Sequence, residues 1–77
     1  MKELQVVFES IRDIEQFVRA ATGTVGGIRV MEGERSTNGK SLLGLTNLGL
    51  HRPLTVAFEG ADTEYEAFEQ RIAGYLA

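Results

Sequence analysis

Between Lys40 and Leu50 the chain spells out a helix together with both of its ends. Lys-Ser-Leu-Leu-Gly-Leu-Thr-Asn-Leu-Gly-Leu opens on a serine suited to capping, carries leucines along one side and closes on a glycine just past the last helical position. Two turns cannot bury Leu42, Leu43, Leu45 and Leu48 on one face. At about 100° per residue, Leu45 and Leu48 share a side with Leu42 near it, while Leu43 points well away. This segment therefore predicts a short helix that gives only part of its apolar surface to a core.

The flanking segments supply what such a helix can pack on. Leu4, Val6 and Phe8 alternate along residues 3–8, which predicts a strand. Ser10 then precedes a stripe of Ile11, Ile14, Phe17, Val18 and Ala21, predicting a helix over 11–22, with Ser10 and Asp13 as a loose capping pair. Thr22 to Gly27 breaks it. Ile28 and Val30 mark a strand, Glu32-Gly33-Glu34 turns it, and Arg35-Ser36-Thr37 returns as a short polar strand. After the central helix, His51-Arg52-Pro53 makes a turn into a strand carried by Leu54, Val56 and Phe58. Glu59 to Asp62 turns again. Thr63 with Glu66 reads as a capping box for a last helix whose inward stripe is Tyr65, Phe68, Ile72, Tyr75 and Leu76.

The order β-α-β-β-α-β-α predicts an α+β fold, an open-faced β-sandwich in which a four-stranded antiparallel sheet carries three helices on one face. Residues 1–77 read as a single domain with no linker, repeat or low-complexity tract. A chain of this length buries only about 60% of its unfolded surface, so its packing must be local and tight.

Composition excludes several classes of function. A formal net charge of −3 argues against nucleic acid as the principal partner, because phosphate neutralisation needs a basic face. The absence of cysteine removes disulfides, thiolate zinc sites and cysteine nucleophiles. No run approaches the ~20 apolar residues of a membrane span, and Met-Lys-Glu-Leu has no apolar signal core, so the expectation is a cytoplasmic protein with no membrane partner. Gly39-Lys40-Ser41 imitates the tail of a phosphate loop, but position 34, where the loop needs a glycine, holds Glu34. The acidic residues Glu59, Asp62, Glu64, Glu66 and Glu69 read as a solvated helix face. His51 reads as an exposed turn residue with no neighbouring carboxylate or second ligand, so no metal site is expected.

The Lys40-Ser41 pair leading into an apolar, glycine-containing helix resembles the second-helix signature of HPr, the phosphocarrier of the bacterial sugar phosphotransferase system. The resemblance runs without a gap from Ile28 to Leu50, takes in the last strand and the acidic turn before the final helix, and in all covers about two-thirds of the chain. It implies the HPr-like fold, a protein without cofactor or enzymatic activity of its own, and protein partners. In the family, a serine in this Lys-Ser context is phosphorylated by an ATP-dependent HPr kinase, which makes Ser41 the candidate regulatory site. Residues matching Leu42, Leu43 and Thr46 form an apolar docking patch there, with Thr46 replacing the usual methionine, and Lys40 adjoins it.

The same resemblance marks what is missing. The family's phosphorylated histidine lies in a Gly-x-His-x-Arg-Pro loop between the first strand and first helix. Here that junction reads Phe8-Glu9-Ser10-Ile11-Arg12-Asp13-Ile14, with no histidine and no proline. Glu9, Ser10, Arg12 and Asp13 form a degenerate version of that region, in which Arg12 matches the family's arginine in position only. Ser10 is an N-cap rather than a substitute acceptor, because a serine ester is a poor phosphoryl donor.

Three readings follow from the sequence. The leading one is an HPr-related regulatory or binding module, like the catabolite-repression homologue of HPr, switched at Ser41 and docking on an HPr kinase, a transcriptional regulator or a metabolic enzyme. The second is a phosphocarrier using a non-standard acceptor, for which His51 is the candidate. The third is a small binding domain that keeps only the fold, with Gly23 to Gly27 and Glu9 to Asp13 forming a pocket of its own.

Overall fold

The computed structural model describes residues 2–75. Strand β1 (Lys2–Val7) leads into helix α1 (Ile11–Thr22), strands β2 (Gly27–Glu32) and β3 (Arg35–Asn38), helix α2 (Leu42–Leu48), strand β4 (Pro53–Glu59) and helix α3 (Asp62–Arg71). A 3-10 turn over Ala73–Tyr75 follows α3. The sheet order is β1-β4-β2-β3, and every neighbouring pair is antiparallel. This is the predicted element order and sheet, with the helices packed on one face.

Register explains why the alternation in the sequence works. Leu4 pairs with Val56, Val56 with Val30, and Val30 with Thr37, so one row runs across all four strands on the helix-covered face. Phe58 pairs with Ile28, extending the apolar rows beneath the helices. The other face carries Glu3, Gln5, Arg29 and Thr55 at alternate positions. The β2–β3 hairpin closes through Gly33 and Glu34, with Gly33 at φ 61°, a conformation open to glycine at a tight hairpin turn.

Helix α1 buries Ile14, Phe17 and Ala21 completely. Ile11 belongs to the predicted stripe but stays 45% exposed. It lies roughly 90° around the helix from the centre of the other three, at the edge of the buried face. Above the sheet, aromatic rings tie the elements together. Phe8 packs edge-on against Phe17 at 5.2 Å, Phe17 against Phe68 at 5.6 Å, and Phe68 stacks on Phe58 at 6.0 Å. Such pairs stabilise by about 0.5–1.5 kcal/mol beyond the area they bury.

Two details at the end of the chain differ from expectation. The Thr63–Glu66 capping box does not form: the N-cap is Ala61, which offers no side-chain acceptor, and Thr63 is already helical. Charge serves the first turn instead, with Asp62 and Glu64 near the positive end of the helix dipole. The inward stripe of Phe68 and Ile72 is buried as predicted, with Tyr65 and Tyr75 packed against the core. The helix itself stops at Arg71, and Leu76 lies outside the described residues.

Helix α2 is seated on β3 by the absence of a side chain. A Cβ on Gly44 would lie 1.9 Å from Thr37 Oγ1 and 2.8 Å from Thr37 Cβ. The far end of α2 is held by Arg35, which donates to the carbonyls of Asn47 (3.2 Å) and Leu48 (3.4 Å). Glu32 aims that guanidinium at 2.5 Å and accepts from Arg52 Nη1 at 2.9 Å.

Two outcomes follow. Gly44→Ala gains about 1 kcal/mol of helix propensity but overpacks against Thr37 at a cost of about 1–3 kcal/mol. With the clash near the upper end of that range the net loss is about 2 kcal/mol, and Tm should fall by roughly 8–16 °C in a thermal melt; an unchanged Tm would show that α2 is not seated this closely. The second outcome concerns Glu32, whose carboxyl is held below its ordinary value of 4.5 first by the hydrogen bond from Arg35 and then by that from Arg52. A carboxyl lowered in the folded state stabilises fully above its unfolded value, and that stabilisation is lost as pH falls through the folded value. Wild type and Glu32→Gln should therefore differ in Tm near neutrality and converge below about pH 4.5, whereas a constant gap would contradict this role.

Candidate functional site

The residues singled out in the sequence fall at two separate places. Glu9, Ser10, Arg12 and Asp13 surround the start of α1. Lys40, Ser41, Leu42, Leu43 and Thr46 surround the start of α2, which faces the last turns of α1. Gly23 to Gly27 lie at the end of α1, about 18 Å along the helix from Ser10. The single pocket expected from Gly23–Gly27 and Glu9–Asp13 is therefore not formed, since the helix separates them.

At the start of α1 the chain satisfies its own donors. Ser10 Oγ accepts from the Asp13 N–H (3.3 Å), and Asp13 Oδ2 accepts from the Glu9 N–H (3.0 Å). This reciprocal pairing follows from the sequence spacing, a polar N-cap with an acid three residues later. Arg12 makes no ion pair among the described residues.

His51 arrives at this same place from the α2–β4 turn. Its backbone N–H donates to the Phe8 carbonyl at 2.8 Å, and its Nδ1 lies 2.7 Å from Glu9 Oε2. The sequence reading of an exposed side chain holds, at 64% exposure, but the expectation of no neighbouring carboxylate is corrected. A carboxylate only accepts, so Nδ1 carries the proton and Nε2 is left with its lone pair in the neutral ring. His51 is also the one non-glycine residue at positive φ (62°) among the described residues. Nothing local in the sequence signals a pairing across 42 positions; it comes from the turn folding back over the end of β1.

At the start of α2, Ser41 is the N-cap, its Oγ accepting from the Gly44 N–H at 3.1 Å. Leu45 and Leu48 are buried beneath it, while Leu42 and Leu43 are 43% and 73% exposed, the partition that the helical spacing predicts. Thr46 is exposed, and its hydroxyl donates back along the helix to the Leu42 carbonyl at 2.8 Å. An open groove of about 570 Å³ runs beside Leu42, lined by Val18, Arg19, Thr22 and Gly23, with Glu15 at its edge.

Lys40 is tied to the neighbouring loop. Its ammonium donates to the carbonyls of Thr24 (3.3 Å) and Gly26 (3.4 Å). Arg71 donates to the Gly23 carbonyl (3.4 Å) and to Thr24 Oγ1 (3.2 Å), and Glu64 accepts from the Val25 N–H (3.2 Å). Three charged side chains thus fasten loop 23–26, whose Val25 stands 76% exposed. The sequence signalled none of these ties, because each joins residues remote along the chain.

No cluster of three metal-ligating side chains occurs among the described residues. No helix among them is long and apolar enough to cross a membrane.

No protein-family model matches the sequence, and no curated protein sequence does. Solved structures do match. HPr-C-His from Thermoanaerobacter tengcongensis aligns over 96% of this chain and 89% of its own, with a TM-score of 0.77 and 26% identity. The phosphocarrier protein HPr from Bacillus anthracis aligns over 96% and 95%, with a TM-score of 0.75 and 25% identity. The histidine-containing phosphocarrier protein of a Mycoplasma aligns over 95% and 89%, with a TM-score of 0.73 at 16% identity, a likeness of fold alone. The element order, the sheet and these alignments together establish that the chain has the HPr fold.

Proposed function

We propose that this protein is a non-enzymatic, protein-binding relative of the phosphotransferase phosphocarriers, docking through the face built by α2 and the second half of α1. The observation that carries this reading is the exposure of Leu42 and Leu43, adjacent at the start of a helix whose other leucines are buried. An isolated exposed leucine means little; two together beside an open groove form a surface that gains by being covered. A solved structure of the same fold, 25% identical, is described as a phosphocarrier protein, which supports a place in or near the phosphotransferase system. The junction Phe8-Glu9-Ser10 holds no histidine in its own sequence, and this favours regulation or binding over serial phosphoryl transport.

Ser41 is the proposed regulatory position. Transfer of the γ-phosphoryl group of ATP to its Oγ would place about two negative charges beside Leu42 and Leu43, enough to alter which partner the patch accepts. An HPr kinase, a transcriptional regulator and a metabolic enzyme are the partner classes that fit this reading.

Two measurements test it. Intact mass after incubation with HPr kinase and ATP should show one added phosphate on the wild type and none on Ser41→Ala; no addition to a folded wild type would leave Ser41 as a cap only. Leu43→Ala should keep the urea midpoint of the wild type, with a stability change within about 0.5 kcal/mol. It should also weaken binding to HPr kinase by about 1 kcal/mol or more, and unchanged affinity would remove the patch from the reading.

A further inference from the structure

The sheet turns one face to the helices and leaves the other uncovered, and the middle of that uncovered face is hollow. Glu3 on β1 pairs with Ala57 on β4, and Ala57 pairs with Arg29 on β2, so the three form a row across the sheet. Gly27 and Glu59 form the row beside it. The short side chains of Ala57 and Gly27 leave a depression of about 450 Å³ walled by Glu3, Arg29, Met31 and Glu59. Glu3 and Arg29 are exposed, with their backbones about 10 Å apart across β4. Neither they nor Glu59 make an ion pair among the described residues. Opposite charges on such a face ordinarily meet as direct cross-strand neighbours; here Ala57 separates a carboxylate from a guanidinium.

We propose that this face is an interface between two copies of the chain, related by a twofold axis that lies between the sheets and runs along β4. Strands β1 and β2 flank β4 at about 5 Å on either side, so Glu3 and Arg29 are equally offset from that axis. Rotation carries the β2 side of one sheet over the β1 side of the other. Arg29 of one copy then faces Glu3 of the second, and the same pair recurs on the other side of the axis, as a twofold interface requires. This equal offset of opposite charges favours a second copy over a foreign partner. Glu59 works against the pair, because it stands on β4 near the axis and so near its own image. The face measures roughly 20 by 20 Å, about 400 Å² for each copy, so the association is weak and concentration-dependent. The helices lie on the far side, and the α2 leucines stay uncovered in such a dimer. The inference is independent of what the α2 face binds.

Sedimentation equilibrium of the whole chain from about 20 μM to 1 mM at low ionic strength tests it. The average mass should rise from that of the monomer toward twice that value, and added salt should reverse the rise. Arg29→Glu sets like charges against Glu3 and should weaken association at least about tenfold. Glu3→Arg should do the same by opposing two cations. Mixing these two variants in equal amounts should restore the dimer, because the new carboxylate at position 29 then faces the new guanidinium at position 3. Glu59→Gln should tighten the wild-type dimer; a weaker one would contradict the symmetry. Circular dichroism checks that each variant is folded. A wild type that stays monomeric at the highest concentration would overturn the proposal, as would two variants that stay monomeric when mixed. A dimer that survives Arg29→Glu but is lost in Leu43→Ala would also overturn it, since the α2 face would then hold the copies together.

Discussion

A seven-residue helix does not hold itself together in water, because nucleation consumes more conformational freedom than two turns of hydrogen bonds return. The protein's most functionally suggestive surface rests on such a helix, so the seating of α2 is the constraint behind the remainder. Ser41 closes one end, Arg35 closes the other, and Gly44 lets the backbone down onto Thr37. Leu45 and Leu48 are then driven into the core. The rotation of the helix is fixed by these contacts, and it is this rotation that leaves Leu43 outside.

Helix α1 has the opposite character. It is long enough to join two distinct regions and is anchored along its length by Phe17, which meets Phe8 on one side and Phe68 on the other. One end of α1 meets His51 and Glu9; the other meets the α2 leucines and a loop fastened by Lys40, Glu64 and Arg71. The exposed leucines of α2 and the His51–Glu9 pair thus lie at opposite ends of one helix and share no residues. Lys40 illustrates how such a fold economises: an ammonium beside the patch also braces the loop that frames it.

The fold was legible in the sequence because its signals are local. Alternation in Leu4-Val6-Phe8 and Leu54-Val56-Phe58, the Ser10 cap and the Ser41-to-Gly49 helix each state their own structure within a few residues. The partition of the four α2 leucines was equally legible, since helical geometry alone decides it. The Thr63–Glu66 cap misled because a good capping pair competes with where the preceding strand delivers the chain, and that is a tertiary matter. The contacts of His51 with Glu9, of Lys40 with loop 23–26 and of Arg52 with Glu32 could not be read at all. Each depends on turns that bring distant residues together, and a single sequence carries no record of that.

The most direct test of this account is native-state hydrogen exchange at the α2 amides whose bonds span the helix, from Leu45 to Gly49. If α2 is locked by its cap, by Arg35 and by the Gly44–Thr37 contact, these amides should exchange with the same free energy as those of the central strand β4, despite the helix's length. Arg35→Ala should then lower protection in α2 more than in β4. Exchange of α2 well ahead of β4 in the wild type would contradict the account, because the leucine surface would belong to a fraying segment rather than to a fixed face.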